Sequence, residues 1–338
     1  MSSTEVLDAA YERLAPFDFE FAGGFADHGP MVAEALVRLG RADAIAPWVE
    51  RHVALLDPMR PPVAPIDDWI VALGDRDRSA DWLGLFTSEL GREPWADVVA
   101  LWAPRLIPGA FAAATHGLIR TAHAVRAIDE VVTAPRQGEL ARGLALWAST
   151  YRELPGPPRP NGTHDLATIL DELAATARPA RGMITTAVAA RVDADPGFVT
   201  AVDSVAPPAD ANRALLDLTA EAARRYLRGA EQFPIALVHG VTGPAAARLL
   251  LAHLAPVHHG ALFAYSWQVV AAMVATYGGD QHGRLDRGAT PGTAEIVDRA
   301  VAGGDEHAIK MAEACLRENR ENPDGVYVLA AADAVARL

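Results

Sequence analysis

The segment DEHAIKMAEACLRE, residues 305–318, carries residue types that could do chemistry at helical spacing. His307 and Lys310 lie three residues apart and Glu313 follows after three more, so they share one face of a helix. Asp305 is suited to cap that helix. Desolvation favours the neutral amine of a buried lysine, and a neutral amine can add CO2 to become a carbamate, an anionic oxygen ligand. Histidine and carbamate would then match the Glu-x-x-His pairs that bind metals on helices. The alternative is a surface lysine paired with a glutamate.

Lys310 is the one lysine among 30 lysine and arginine residues. A GC-rich coding bias explains the preference for arginine elsewhere, but it does not explain the lysine that remains. A guanidinium group stays protonated and cannot form a carbamate. Our hypothesis is that arginine cannot replace lysine at this position.

A second helical face carries two histidines and an arginine. His116, Arg120 and His123 follow the spacing i, i+4, i+7 in FAAATHGLIRTAHAVRAI, residues 111–128. If this face is buried, all three side chains need partners. Gly117 costs helix stability, roughly 1 kcal/mol relative to alanine, which indicates a close approach to the backbone. The alternative is a polar stripe on a solvated face.

Two further histidines lie in segments that favour burial. His28 follows a glycine pair in GGFADHGPM and precedes Pro30, which is suited to the first turn of a helix. His239 ends an apolar run in PIALVHGVTGP, where we expect Gly243 and Pro244 to open the next helix. The alternatives are a capping histidine and a core histidine.

The remaining histidines give weaker indications. Three lie in polar or loop contexts and are expected to be solvated: His52, His164 and His282. Three others surround a proline-containing helix end: His253, His258 and His259.

Apolar residues repeat with helical spacing along nearly the whole chain, and strand signals are scarce, so the sequence predicts an all-α protein. The predicted helices cover residues 31–39, 97–105, 108–128, 137–153, 165–177, 181–192, 211–229, 244–254, 261–277, 293–302, 306–319 and 324–336. The clearest loops are 60–65 and 155–163. We expect one large multi-helical domain, residues 1–338, with a possible division at the second loop. No glycine pattern for a nucleotide is present.

Composition narrows the classes of partner and location. The formal net charge of −13 argues against a nucleic acid or an anionic membrane as partner. We expect no signal peptide at the acidic N-terminus, and apolar runs such as 261–275 are expected to be too short and too interrupted to span a bilayer. Cys315 is a single cysteine and cannot form an internal disulfide. A cytoplasmic location is therefore expected.

Four segments resemble the questin oxidase-like family and occur in the same order. They are ADHGPM (26–31), WLGLFTSELGREPWADVVALWAPRLIPGAFAAATHGLIRTAHAVRAI (82–128), LVHGVTGPAAARLLLAHLAP (237–256) and DEHAIKMAEACLRE (305–318). The resemblance implies an enzyme that uses O2 to cleave or oxygenate an aromatic polyketide ring of the anthraquinone type. A related branch holds one non-haem iron with four histidines and a carboxylated lysine in an all-helical protein.

Transferred to the matching motifs, the resemblance implies a buried central Fe(II) site. Its ligands would be His28, His116, His239, His307 and the carbamate of Lys310. Asp27 departs from the amide residue expected before the first histidine. Some family members are described as dependent on reduced nicotinamide. Because this chain carries no dinucleotide fingerprint, any need for NADPH would be met through another component.

The expected reaction assigns further roles. Lys310 would act as anionic ligand or base, and three residues would support the ligands: Arg120, His123 and Glu313. Arg120 could instead bind a phenolate or quinone oxygen. Six aromatic side chains could line an apolar pocket for the substrate, the alternative being an ordinary core: Trp82, Phe86, Trp102, Phe263, Tyr265 and Trp267.

Two other functions remain open at the level of sequence. The same histidines and carbamate could hold zinc and activate water in a metallohydrolase. The chain could also be a non-catalytic helical binding protein whose histidines are core or surface residues. The metal bound by the purified protein would distinguish the oxygenase, the hydrolase and the binding protein. The sequence leaves the oligomeric state, the exact substrate and the choice between mono- and dioxygenase open.

Overall fold

The computed structural model describes residues 2–179, 182–279 and 291–338. Within these residues, 17 α-helices and one short antiparallel pair of strands form the regular structure. The prediction of an all-α protein is confirmed. His282 lies outside the described residues.

The chain divides into two compact units. Unit 1 runs to Arg152 and includes Ala252–Leu254, and unit 2 comprises Glu153–Leu251 and Ala255–Leu338. The boundary lies just before the proline-rich loop at 155–163. A single domain stays a prediction.

Unit 1 contains eight α-helices and the two strands. They are α1 (Ser3–Leu14), β1 (Glu20–Phe21), β2 (Phe25–Ala26), α2 (Gly29–Arg38), α3 (Ile45–Val53), α4 (Trp69–Ala72), α5 (Ser79–Leu90), α6 (Trp95–Leu106), α7 (His116–Glu130) and α8 (Ala134–Ser149). Short 3-10 helices cover Ala42–Ala44, Arg76–Arg78 and Ile107–Gly109.

Unit 2 contains nine α-helices among its described residues. They are α9 (Leu166–Ala175), α10 (Ile184–Asp193), α11 (Phe198–Asp203), α12 (Ala211–Gly229), α13 (Pro234–Leu250), α14 (His259–Tyr277), α15 (Thr293–Gly303), α16 (Glu306–Glu321) and α17 (Gly325–Arg337). A 3-10 helix covers Pro256–His258, and another, Leu251–His253, follows α13.

Side-chain caps explain where several helices begin. Ser2 and Glu5 form a reciprocal capping box at α1, in which each side chain bonds the backbone of the other. Asp165, Asp210 and Asp305 cap α9, α12 and α16 by accepting hydrogen bonds from first-turn N–H groups. The predicted cap at Asp305 is confirmed.

The core of unit 1 depends on close packing between α7 and α8. Gly117 of α7 lies directly against the backbone of Trp147, and Gly143 of α8 lies against that of Thr121. The close approach predicted at Gly117 is therefore made by a neighbouring helix. In unit 2, α12, α13 and α14 pack together, and α16 packs on α13 and α17.

Two helix starts differ most from the prediction. The helix expected over 108–128 begins at His116, because a 3-10 turn and a left-handed turn occupy the preceding residues. Pro244 does not open a helix; it lies inside α13, with His239 in the first half of that helix. Proline lacks an N–H donor and crowds the carbonyl four residues earlier, here that of Gly240.

One described segment is long and apolar enough to cross a membrane by length and composition, namely Pro234–His253. His239 and Pro244 lie within this segment. Of its most apolar window, 78% is buried inside the protein, as in the core helix of a soluble protein. The cytoplasmic location stays a prediction.

Replacing Gly117 with alanine should destabilise the protein. The new Cβ would lie 2.7 Å from Trp147 Cα and 2.9 Å from its Cβ, and backbone atoms cannot swing aside. We expect overpacking, at about 1–3 kcal/mol, to exceed the gain in helix propensity. Urea denaturation measures the change. The control is Gly138→Ala in α8, where a Cβ meets no atom within 4 Å and stability should rise by roughly 0.5–1 kcal/mol. Equal gains at both glycines would contradict the close packing.

Candidate functional site

His116 is presented by an unusual turn at the start of α7. Ala113, Ala114 and Thr115 have φ values of +47°, +55° and +76°, in the left-handed region that residues with a Cβ rarely adopt. This turn brings the carbonyl of Ala113 to the His116 ring, whose Nδ1 donates a hydrogen bond to it. Nε2 of the neutral ring therefore keeps its lone pair, as a metal ligand requires.

His28 lies beside His116 in unit 1. It precedes α2 as predicted, and the two ring centroids are 4.6 Å apart with a 30° angle between the planes. Both side chains are buried. Two protonated rings at this distance would repel each other, whereas two neutral imidazoles are suited to share a cation.

Asp27 anchors the segment that carries His28. Its Oδ1 accepts hydrogen bonds from the Gly29 N–H and from His52 Nε2, both at 2.8 Å. Burial alone would raise the pKa of Asp27, but the His52 hydrogen bond and the Arg120 charge outweigh it and lower the pKa. The expectation that His52 is solvated is wrong, because its partner lies 25 residues earlier and only the fold brings them together.

Arg120 is fully buried, and its guanidinium group forms ion pairs with two carboxylates. Its Nε and Nη2 donate to the two Glu139 oxygens at 2.6 and 2.9 Å, and Nη1 lies 3.5 Å from Asp27 Oδ2. Burial opposes its charge, yet Glu139 and Asp27 raise the pKa of Arg120. These ion pairs connect α7 with α8 and with the residue next to His28. The alternative of a solvated stripe on α7 is therefore wrong.

His123 lies on the same face of α7 and contacts α2. Its Nδ1 bonds Glu34 Oε2 at 2.8 Å, and Arg126 and Arg38 also donate to Glu34. Burial would raise the pKa of Glu34, but the Arg126 charge and the His123 hydrogen bond hold it well below its usual value. His123 and Arg120 thus attach α7, the helix of His116, to α2 and α8.

His239 and His307 form a second histidine pair, within unit 2. Nδ1 of His239 donates to the Ile235 carbonyl at 2.7 Å, which leaves Nε2 as the acceptor. The two ring centroids are 5.4 Å apart at 69°. Burial, followed by the charges of His307 and Lys310, lowers the pKa of His239 well below its usual value. His239 is therefore neutral at neutral pH.

Lys310 lies one helical turn after His307 on α16 and is 2% exposed. Among the described residues, no carboxylate forms an ion pair with it within 4.0 Å. Burial lowers the pKa of Lys310 to about 8, although the charges of Glu306 and Asp305 oppose the shift. With that pKa, the amine is neutral in roughly one molecule in ten at pH 7. The surface lysine considered above is thereby excluded.

Glu313 follows on the same face of α16 and is also buried. Its Oε1 accepts from Arg317 Nε at 3.2 Å, and Arg317 donates to the Ala245 carbonyl of α13 at 3.1 Å. Arg317, held by Glu313, therefore connects the two helices that carry His239 and His307. Burial raises the pKa of the Cys315 thiol, which is unreactive in this state.

The six aromatic candidates fall into two groups. In the core of unit 1, Trp82 stacks on Phe86 and Trp102 contacts both rings edge to face, which favours an ordinary packing role. In unit 2, Trp267 is buried with its indole N–H bonded to the Val202 carbonyl. Phe263 is buried behind the wall of a cleft of about 550 Å³, and Tyr265 is half-buried.

The structure thus places the five ligand candidates on two units. His28 and His116 are neighbours in unit 1, and His239, His307 and Lys310 are close together in unit 2. Sequence reasoning missed the partners that support them, namely Glu34, Glu139 and His52. Spacing could not reveal them, since His123 and Glu34 are 89 residues apart.

Comparison with known proteins gives one result for the family. A family model described as questin oxidase-like matches residues 25–315. This match confirms the resemblance seen in the four sequence segments. None of the curated proteins compared with the chain is similar enough to count as a match.

Loss of the Arg120 guanidinium should destabilise the protein strongly. Arg120→Met would leave two carboxylates buried without their cation, and we expect a loss of about 3–5 kcal/mol in the free energy of unfolding. The matched control is Arg13→Met, which removes an ion pair with Glu50 whose side chains are 44% and 61% exposed. That change should cost no more than about 1 kcal/mol. Similar small losses in both variants, measured by urea denaturation, would contradict a central role for Arg120.

Glu34 should make the free energy of unfolding depend on pH. Because its folded pKa is lowered, it stabilises the fold above the unfolded value of about 4.3, and this stabilisation is lost as the pH falls through the folded pKa. The difference in unfolding free energy between wild type and Glu34→Gln should be largest near pH 7 and shrink towards pH 3. Denaturant titrations across this range test it, and a constant difference would refute the assignment.

Proposed function

The chain belongs to the questin oxidase-like family, and from that premise we propose that it is a non-haem iron-dependent oxygenase. Its substrate would be an aromatic polyketide of the anthraquinone type, whose ring it cleaves or oxygenates with O2. Membership of the family supports an oxidoreductase of the oxygenase kind.

The donor groups fit Fe(II). Imidazole nitrogens with one carboxylate-like oxygen are a ligand set of non-haem iron oxygenases. His116 and His239 each donate Nδ1–H to a backbone carbonyl, the arrangement that usually orients histidines bound to metals. We propose that both rings, with His28, His307 and Lys310, hold one iron.

The burial of Lys310 is the observation that supports this proposal most strongly. A lysine cation buried without an ion pair is unfavourable, whereas a neutral amine is a nucleophile. Its nitrogen would attack the carbon of CO2 to form an N–C bond, one C=O electron pair would move to oxygen, and the nitrogen would lose a proton. The product is an anionic carbamate, the oxygen donor that the histidines lack.

Iron, when bound, would supply the one-electron chemistry that lets O2 react with an aromatic ring. The carbamate of Lys310 would contribute negative charge and accept the proton of a substrate phenol. A dioxygenase places both oxygen atoms in the product, with electrons drawn from the ring bonds. A monooxygenase releases one atom as water and needs two electrons from a donor such as NADPH, delivered by another component.

Arg120, His123 and Glu313 would support the ligands from outside the site. Arg120 and His123 hold α7 against carboxylates on α8 and α2, and Glu313 connects α16 to α13 through Arg317. These contacts favour a role in which the three residues position His116 and His307. They argue against the alternative that Arg120 binds a phenolate directly.

Metal content and O2 consumption test the proposed function together. Protein purified without chelator or nickel should contain about one iron per chain by elemental mass spectrometry. When reduced 1,8-dihydroxyanthraquinone is added as substrate, the protein should consume O2. An oxygen electrode measures this consumption. One zinc per chain would favour the hydrolase instead. Absence of metal after anaerobic addition of Fe(II) would leave a helical binding protein.

Lys310→Met isolates the role of the amine. The variant has a side chain of similar length, and its metal-free form should be at least as stable as wild type because a buried cation is removed. We expect iron content to fall by about tenfold or more. Wild type equilibrated with 13C-bicarbonate should show a carbamate carbon by NMR that the variant lacks. His164→Ala, at an exposed histidine of unit 2, is the control and should retain its iron. Full iron content in Lys310→Met would exclude the carbamate ligand.

A further inference from the structure

Thr115, the residue before His116, adopts a backbone conformation that its side chain disfavours. Its φ of +76° lies in the left-handed region, where a β-branched residue is a clear outlier. Glycine would adopt this conformation without steric conflict. A threonine here is therefore kept at a cost in stability, so its side chain needs a reason to be present.

The Thr115 hydroxyl is also buried without a protein partner. Thr115 is 1% exposed, and within the described part of the chain its Oγ1 has no hydrogen-bond partner. Although Thr115 occupies the N-cap position of α7, its side chain makes no capping bond. Each of the other buried threonines in the described residues bonds the carbonyl four residues earlier: Thr121, Thr150, Thr219, Thr242 and Thr276.

Two unfavourable features thus coincide at one residue beside a proposed ligand. The same turn directs the Ala113 carbonyl to Nδ1 of His116, so it also fixes the ring. A buried hydroxyl without a partner costs free energy that an apolar side chain of the same shape would avoid. Strained backbone of this kind clusters at functional sites, and a bound ligand would supply the partner that the hydroxyl lacks.

We propose that Thr115 is a ligand-binding residue whose hydroxyl donates a hydrogen bond to an oxygen atom held next to His116. This inference rests on the proposed function. The oxygen has two possible sources with the same chemistry: a phenolate or quinone oxygen of the aromatic substrate, or a solvent oxygen on the metal. A hydroxyl is neutral and binds either without bringing a second charge into the site.

Thr115→Val tests the proposal because it removes the hydroxyl and keeps the shape and the branching at Cβ. Three quantities are measured: the melting temperature of the metal-free protein, Fe(II) affinity by anaerobic chelator competition, and binding of 1,8-dihydroxyanthraquinone to zinc-loaded protein by absorbance. Thr115→Ser, which keeps the hydroxyl, and Thr121→Val, which removes a bonded hydroxyl from the same helix, are the controls.

The metal-free Thr115→Val protein should melt at or above the wild-type temperature, because an unpaired buried hydroxyl is lost. Either Fe(II) or the anthraquinone should bind about tenfold more weakly, and the affected ligand identifies the source of the oxygen. Thr115→Ser and Thr121→Val should bind both ligands within about threefold of wild type.

A lower melting temperature of metal-free Thr115→Val would show that the hydroxyl has a partner in the protein and would overturn the inference. Unchanged affinity for both ligands in this variant would overturn it as well, with the proposed function intact. If wild type binds neither Fe(II) nor the anthraquinone, the proposed function fails and the inference fails with it.

Discussion

Exclusion of water from the helical cores decides what each polar group of this protein can do. Arg120 and Lys310 are both buried cations, and they meet this constraint in opposite ways. Arg120 is bonded by both oxygens of Glu139, and its pKa is raised. Lys310 has no such ion pair among the described residues, and its pKa falls to about 8. The first side chain is fixed as a structural ion pair, and the second is available for chemistry.

The same distinction separates the buried histidines. His52 and His123 bond the side-chain carboxylates of Asp27 and Glu34, which lie in other segments of unit 1. His116 and His239 bond backbone carbonyls, which are neutral and fix the proton on Nδ1. Histidines of the first kind hold helices together, whereas those of the second kind keep a lone pair for a cation. The partner of each ring thus indicates its role better than its burial does.

Periodicity and capping rules predicted much of the fold from the sequence. The all-α class, the Asp305 cap and the position of His28 before a helix all follow from local residue preferences. The family match over residues 25–315 likewise agrees with the motifs recognised in the sequence. Each of these features depends on residues close together in the chain, so the sequence carries their signal directly.

Features that depend on distant residues or on unusual backbone could not be predicted. The left-handed turn at Ala113–Thr115 contains no glycine, so nothing in its composition indicates positive φ. Pro244 gave a misleading signal, since a buried helix tolerates a proline that local rules assign to a helix start. The partners of Arg120 and His123 come from distant segments of the sequence, and only the folded chain brings them together.

The iron content per chain of single variants from each histidine pair is the most direct test of the proposal that both pairs bind one iron. His116→Ala and His239→Ala should each abolish iron binding while the metal-free proteins still unfold cooperatively. Loss of iron in one variant and full retention in the other would contradict a shared site. Retention in both would show that neither ring is a ligand.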